Sequence, residues 1–190
     1  MEIKILQEAG YEQALLGMGL SFHKESESLD IFKTDKKKER LAKVAKLLAK
    51  KGPSHSKFIR QVKVWVLIRA PRFWWPEMDQ YKVGTTSLSA STMHTLSKEK
   101  LTQYHFEYPI LGTYLEYLNR EIQKGASIES LKNDLPEGYL QSRAVSMNYQ
   151  VLRTIIAQRH SHRLPQWQKF ISEVQEQVEH PELLEGIDEE

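Results

Sequence analysis

Residues 135–167 read LPEGYLQSRAVSMNYQVLRTIIAQRHSHRLPQW, and the C-terminal architecture turns on how this stretch is parsed. Pro136 is placed to open a helix, because a proline in the first turn lacks an N–H that would have had no partner there. From it the spacing of Val145, Asn148, Leu152, Ile155 and Ile156 predicts one long helix running to about Gln158, with those residues as its inner face. Pro165 opens the last helix, with Trp167, Phe170, Ile171, Val174 and Val178. Asn148 then stands in mid-helix, where asparagine has poor propensity. A ligand contact or a buried hydrogen bond would explain it, and an exposed surface position is the alternative.

Working outward, Gln61 to Arg69 alternates as a strand, Val62, Val64, Val66 and Ile68 on one face and Lys63, Trp65 and Leu67 on the other. Ala70-Pro71 fits the start of a helix that Pro76 must kink or end early. Glu2 to Gln7, with Ile3 and Ile5, predicts a short opening strand, and Tyr11 to Leu20 a short helix weakened by Gly17 and Gly19. Ser21 to Asp30 is polar and reads as a loop. Lys33 to Lys51 holds nine Lys/Arg against Asp35 and Glu39, with Leu41, Val44, Ala45, Leu47 and Leu48 at helical spacing. An amphipathic helix with a solvated basic face is the preferred reading over a nucleic-acid patch. Val83 to Thr95 is almost wholly small and hydroxylated and reads as a loop. Leu111 to Lys124 and Ser127 to Asn133 predict two further helices, the second capped by Ser127. Ile171 to Glu190 has eight acidic residues and no Lys/Arg, and 182–190 is expected to be a frayed acidic tail. No repeat or linker interrupts the chain. The expectation is one α+β domain over 1–181, a small sheet packed with several helices.

The 190 residues are 40% hydrophobic and 27% charged, the balance of an ordinary globular protein. A net charge of +2 gives no bulk attraction to nucleic acid. The absence of cysteine excludes disulfides, thiolate metal sites and a cysteine nucleophile. No run approaches the roughly 18 apolar residues of a membrane span, and the N-terminus lacks the apolar run of a secretory signal. A cytoplasmic protein with no membrane partner is expected.

Binding a phosphate monoester takes cations and a dense set of donors. Lys82 beside Thr85, Thr86, Ser87 and Ser89 offers these, as do Arg143 and Arg159 on the predicted long helix. Arg159 has a planar fork suited to a phosphate or a pyrimidine oxygen, but it could equally cap its helix C-terminus. By itself Lys132 reads as a solvated helix lysine. Phe73, Trp74 and Trp75 read as core ahead of a stacking platform for a ligand ring. His160 and His162, two apart, do not share a helix face and suggest no metal site.

Several of these residues also resemble the flavin-dependent thymidylate synthase (ThyX) family. Leu135-Pro136, Asn148, Leu152 and Arg159 fall at that family's relative spacing, and Gln166-Trp167 follows after one extra residue. Arg69-Ala70-Pro71 is similar to the end of the family's central strand, and Lys50-Lys51-Gly52 followed by His55 to its helix end and flavin-contacting histidine. The family's Arg-His-Arg-x-x-Ser-x-Asn-Glu-x-Ser-x-Arg-Tyr signature is rewritten here as the run from Gln80-Tyr81-Lys82 to Thr92-Met93. Lys82 and Thr85 keep the chemistry of their counterparts, with Ser89 or Ser91 for the later serine after a small shift. Both flanking arginines, the histidine and the Asn-Glu pair are gone.

The resemblance implies a homotetramer with active sites between subunits. In such enzymes reduced FAD relays a one-carbon unit from methylenetetrahydrofolate to C5 of dUMP, with NADPH as reductant and no enzyme nucleophile, which agrees with the missing cysteines. It implies Arg159 as the catalytic residue, with Gln80, Ser89, Lys132 and Arg159 at the pyrimidine nucleotide. His55, Lys82, Thr85 and Asn148 would serve the flavin. The rewritten signature implies a changed substrate or one-carbon product, as in the DNA hypermodification of bacteriophages, or a weaker flavin grip. A non-catalytic nucleotide-binding or protein-interaction module on the same scaffold is the other implication.

Overall fold

The computed structural model describes residues 1–22, 35–96 and 98–185. Four strands form one antiparallel sheet: β1 (Glu2–Ala9), β2 (Lys63–Pro71), β3 (Thr86–Ser89) and β4 (Leu140–Asn148), in the order β1-β2-β4-β3. The helices are α1 (Tyr11–Gly19), α2 (Asp35–Lys50), α3 (Trp75–Met78), α4 (Thr92–Thr95), α5 (Gly112–Gln123), α6 (Ile128–Asp134), α7 (Tyr149–Arg159) and α8 (Pro165–Gln177). The polar stretch expected as a loop falls, from residue 23 on, outside the described residues.

The alternation read in β2 fixes the main core. Val64, Val66, Ile68 and Ala70 are fully buried, while Trp65 and Leu67 on the other face are exposed. Covering the buried face are α8, which packs on β1, and α7, which packs on α8 and on a 3-10 turn at Lys57–Arg60. Trp74 sits among Trp75, Trp167 and Phe170 at ring-centroid distances of 5.1, 4.6 and 5.7 Å, so the aromatic run is core as expected. A second core gathers Leu96, Leu101, Phe106, Leu118, Leu131, Leu135 and Tyr139 beneath α5 and α6. Buried Asn119 closes it: its Oδ1 accepts from Leu101 N at 2.8 Å and its Nδ2 donates to Leu101 O at 3.0 Å. Ser127 caps α6 as predicted, its hydroxyl accepting from Ser130 N.

The long helix expected from Pro136 to Gln158 is instead a strand and a helix. Residues 140–148 pair along the whole of β2, from Pro71↔Leu140 to Lys63↔Asn148, with Val145 and Met147 buried at the two-residue period of a strand. Helical spacing describes only the part from Tyr149 on. The chain turns at Asn148, which is the N-cap of α7: its Oδ1 accepts from Val151 N at 3.0 Å. The poor propensity noted in the sequence therefore belongs to a cap, where asparagine is favoured.

Three further expectations change. Ala70-Pro71 ends β2 and does not start a helix; β1 stops at Glu2↔Arg69, so Pro71 needs no donor on that side. Pro76 sits in the first turn of α3 and opens that helix. The hydroxyl-rich run contains β3, paired to β4 from Thr86↔Ser146 to Ser89↔Arg143, and the turn of α4.

The amphipathic reading of the basic segment holds, with Leu41, Ala45 and Ala49 buried. The acidic C-terminal segment lies against it, Lys46 pairing with Glu182 at 3.4 Å and Lys50 with Glu185 at 2.8 Å. Leu183 and Leu184 are fully buried. The packed chain thus continues past the boundary expected at 181, and 186–190 lie outside the described residues. Among the described residues no helix is long and apolar enough to cross a membrane.

Candidate functional site

The β4–α7 junction and residues 80–87 enclose two adjoining cavities. The larger, about 420 Å³, is lined by Arg60, Gln80, Lys82, Asn148, Gln150 and Thr154, with Tyr81, Gly84 and Val151 as its apolar wall. The smaller, about 130 Å³, lies beside Lys82, Thr85 and Ser87. Gly84 makes this closeness possible. Its φ of +79° suits glycine, and a Cβ there would lie 3.1 Å from Asn148 Nδ2 and 3.2 Å from Val151 Cγ2. The loop therefore lies directly on the cap of α7.

Each cavity is lined by a residue with a buried polar atom that has no hydrogen-bond partner, Gln150 (Oε1) in the larger and Thr85 (Oγ1) in the smaller. Buried polar atoms of native proteins almost always have partners, so an orphan on a lining residue is a group that a ligand or water could satisfy after a small side-chain shift. Arg60 and Lys82 line the larger cavity, and among the described residues neither has an ion-pair partner. Two cations, amide donors and an unfilled acceptor beside an apolar wall suit a phosphate-bearing ligand with an aromatic ring. The donor set fits FAD in kind.

Arg159, at the end of α7, is held on three sides. Its Nε donates to Tyr81 Oη at 2.8 Å, Nη1 to Glu77 Oε2 at 3.1 Å and Nη2 to Gln80 Oε1 at 3.2 Å. Its guanidinium also lies over Trp167, 4.9 Å from the ring centroid. These contacts reach α3, α8 and the loop, which is more than a helix cap does. Glu77 is the hub. Its Oε2 also accepts from Trp167 Nε1 at 2.8 Å and lies 3.2 Å from His162 Nε2.

The structure thus gathers Gln80, Lys82, Thr85, Asn148 and Arg159 of the expected site. Ser89 is exposed on the edge strand β3, outside both cavities. His55 is exposed on a separate cavity of about 620 Å³ with Phe22, Lys57 and Phe58, and Lys132 is exposed on α6. Within one chain neither meets Arg159. Arg143 corrects another expectation: it lies on β4, where Asp79 takes its Nη1 at 2.9 and 3.2 Å and Trp75 stacks beneath it at 4.1 Å. His160 and His162 turn to different partners, the Ala157 carbonyl and Glu77.

Sequence reasoning missed Arg60, Gln150, Glu77 and Arg153. Arg153 is buried in α7, and among the described residues no carboxylate pairs with it. It donates to Ala49 O at 2.6 Å and Ser56 Oγ at 2.9 Å, and burial lowers its pKa. It ties α7 to the end of α2 and to the turn that carries His55. Only Gln150, two residues beyond Asn148, had a signal in its neighbourhood.

No family model matches the sequence, and no curated protein matches it. Solved structures do. The flavin-dependent thymidylate synthase ThyX of Helicobacter pylori, complexed with FAD and dUMP, superposes with a TM-score of 0.75 over 97% of this chain and 98% of that one, at 17% identity. This chain has the ThyX fold. A UMP/dUMP methylase, PolB from Streptomyces cacaoi bound with 5-Br dUMP, superposes with a TM-score of 0.69 at 10% identity, covering 96% of this chain and 93% of that one. The α+β expectation holds, and the identities are low enough that the likeness speaks for the fold.

Proposed function

We propose that the chain is a ThyX-like pyrimidine-nucleotide enzyme that transfers a one-carbon unit to C5 of a pyrimidine deoxynucleoside monophosphate. The observation that carries this reading is the pair of cations Arg60 and Lys82, without an ion-pair partner among the described residues, lining one cavity with Gln80, which bonds Arg159. The solved structures with this fold, complexed with FAD and dUMP or with 5-Br dUMP, support it. FAD, when bound, would supply the carrier chemistry between methylenetetrahydrofolate and the pyrimidine, with NADPH as reductant. The residues of this chain hold and orient. Lys82 and Arg60 neutralise phosphate, Asn148 and Gly84 keep the loop against α7, and Arg159 with Gln80 faces the nucleotide.

His55 and Lys132 join this site only if neighbouring chains supply them, so the reading includes a homotetramer. An exposed apolar face of the sheet supports it. Leu6, Trp65, Leu67 and Leu88 stand 51%, 40%, 41% and 73% exposed. The register Lys4↔Leu67↔Ala144↔Leu88 makes the last two part of one continuous face of the sheet.

One observation favours the alternative of a binding module: Arg159 already spends three N–H bonds inside the chain. FAD titration followed by flavin fluorescence, then NADPH addition with a labelled one-carbon donor, separates the two. Binding, bleaching of the flavin and label on the pyrimidine support the enzyme. No binding at millimolar FAD rejects it.

A further inference from the structure

We propose that the base position at Arg159 is built for a cytosine-type edge, with Glu77 as the specificity-determining residue; this rests on the pyrimidine-nucleotide reading above. Glu77, the hub of the Arg159 contacts, sets the electrostatics of that position. Its carboxylate lies 3.1 Å from Arg159 Nη1 and neutralises the guanidinium, which makes Arg159 a poor anchor for a phosphate dianion. The nucleotide phosphate falls to cations that carry no carboxylate, such as a neighbouring chain's Lys132 in the homotetramer reading, and Arg159 is left to read a neutral group.

The order of partners along the guanidinium fork then defines a pattern. Glu77 sits on Nη1 and Gln80 on Nη2. Glu77 Oε2 takes Arg159, Trp167 and His162, while its Oε1 has no protein donor among the described residues. Gln80 Oε1 is committed to Arg159, and its amide N–H groups have no partner among the described residues. Arg159 uses three of its five N–H donors and keeps two. From the Glu77 side the row reads acceptor, donor, donor. Both carboxylate and guanidinium reach solvent, their side chains being 27% and 14% exposed, and Gln80 and Tyr81 continue into the 420 Å³ cavity.

A cytosine edge presents the complement: the N4 amine donates, N3 accepts and O2 accepts. A uracil edge presents O4, N3–H and O2, which places a carbonyl oxygen against the Glu77 carboxylate and an N–H against a guanidinium donor. Both mismatches leave polar groups unpaired in a partly desolvated place, where the missing partner is felt most.

The test is calorimetry on the full chain with three ligands: dCMP, dUMP and the deoxynucleoside monophosphate of 2-pyrimidinone, which has neither an N4 amine nor an O4. The expected order of affinity is dCMP, then the pyrimidinone nucleotide, then dUMP, with about tenfold or more between the ends. Glu77→Gln, whose amide can turn either its N–H or its oxygen to the base, should erase the preference. Binding of dUMP equal to or tighter than dCMP overturns the inference and leaves the pyrimidine reading standing. A dCMP preference that persists unchanged in folded Glu77→Gln overturns the role of Glu77. Failure of all three ligands to bind overturns both. If Glu77→Gln does not fold, the pyrimidinone comparison decides alone: an affinity equal to that for dCMP removes the amine contact.

Discussion

Replacing Asn148 separates the two roles this residue has been given, cap and ligand contact. Its Oδ1 accepts the Val151 amide at 3.0 Å, satisfying one of the N–H groups that a helix start leaves without a partner. Asn148→Ala removes that acceptor, which costs about 1 kcal/mol within a range of about 0.5–2. For a chain of this size that is a fall in Tm of about 2–4 °C per kcal/mol. Asn148→Asp keeps the acceptor and adds a negative charge at the positive end of α7, worth about 0.3–1 kcal/mol. Thermal and urea melts should therefore rank Asp at or above Asn, with Ala clearly below both. If the Ala variant melts with the parent, the cap contributes nothing and the geometry has been misread. The flavin role has a different signature, in which FAD affinity falls for Ala and Asp alike.

Two further outcomes follow from packing. Leu67→Lys, in the middle of the open sheet face, should dissociate any assembly while leaving the buried face of β2 intact, so light scattering should report a folded monomer; an unchanged mass would remove that face as the interface. Tyr149 is buried, and its hydroxyl donates to the Glu8 carboxylate; burial first, then that bond, raises its pKa above the ordinary tyrosine range. A raised acid pKa contributes stability that is fully present below the unfolded value near 10 and is lost as pH climbs. Urea melts above pH 10 should therefore steepen by up to about 1.4 kcal/mol per pH unit from this group, and Tyr149→Phe should flatten that slope. An identical slope in the Phe variant would refute the assignment.

What was legible in the sequence was whatever local pattern decides. The alternation in β2, the Ser127 cap, α5, the basic helix and Pro165 at the head of α8 each carry their own signal within a few residues. The segment 140–148 does not. Its apolar positions suit either period, and what makes it a strand is nine residues of pairing with β2, some 75 positions earlier. The site was half legible for the same reason. Lys82, Thr85, Asn148 and Arg159 carry a signal in their type and spacing, Gln80 only in the resemblance, and the fold brings these five together. Glu77 acquires meaning only when Arg159, His162 and Trp167 arrive from 82, 85 and 90 residues away. Arg60 and Gln150 come to line one cavity only in the finished fold.

The edge strand β3 has a consequence for how this chain can change over time. All four of its residues are exposed, it pairs on one side only, and none of its side chains belongs to either core. Selection for folding therefore has almost no grip on Thr86–Ser89, whereas it holds α7 tightly through the Asn148 cap, the buried Arg153 and the Arg159 contacts. A lineage can rewrite the strand one residue at a time without passing through an unfolded intermediate, while Gly84 before it is held by its backbone conformation and by Asn148 and Val151. The surface beside the two cavities can drift there while α7 stays in place. A comparison of close homologues should find variability concentrated at 86–89 and constancy at Gly84 and along 148–159.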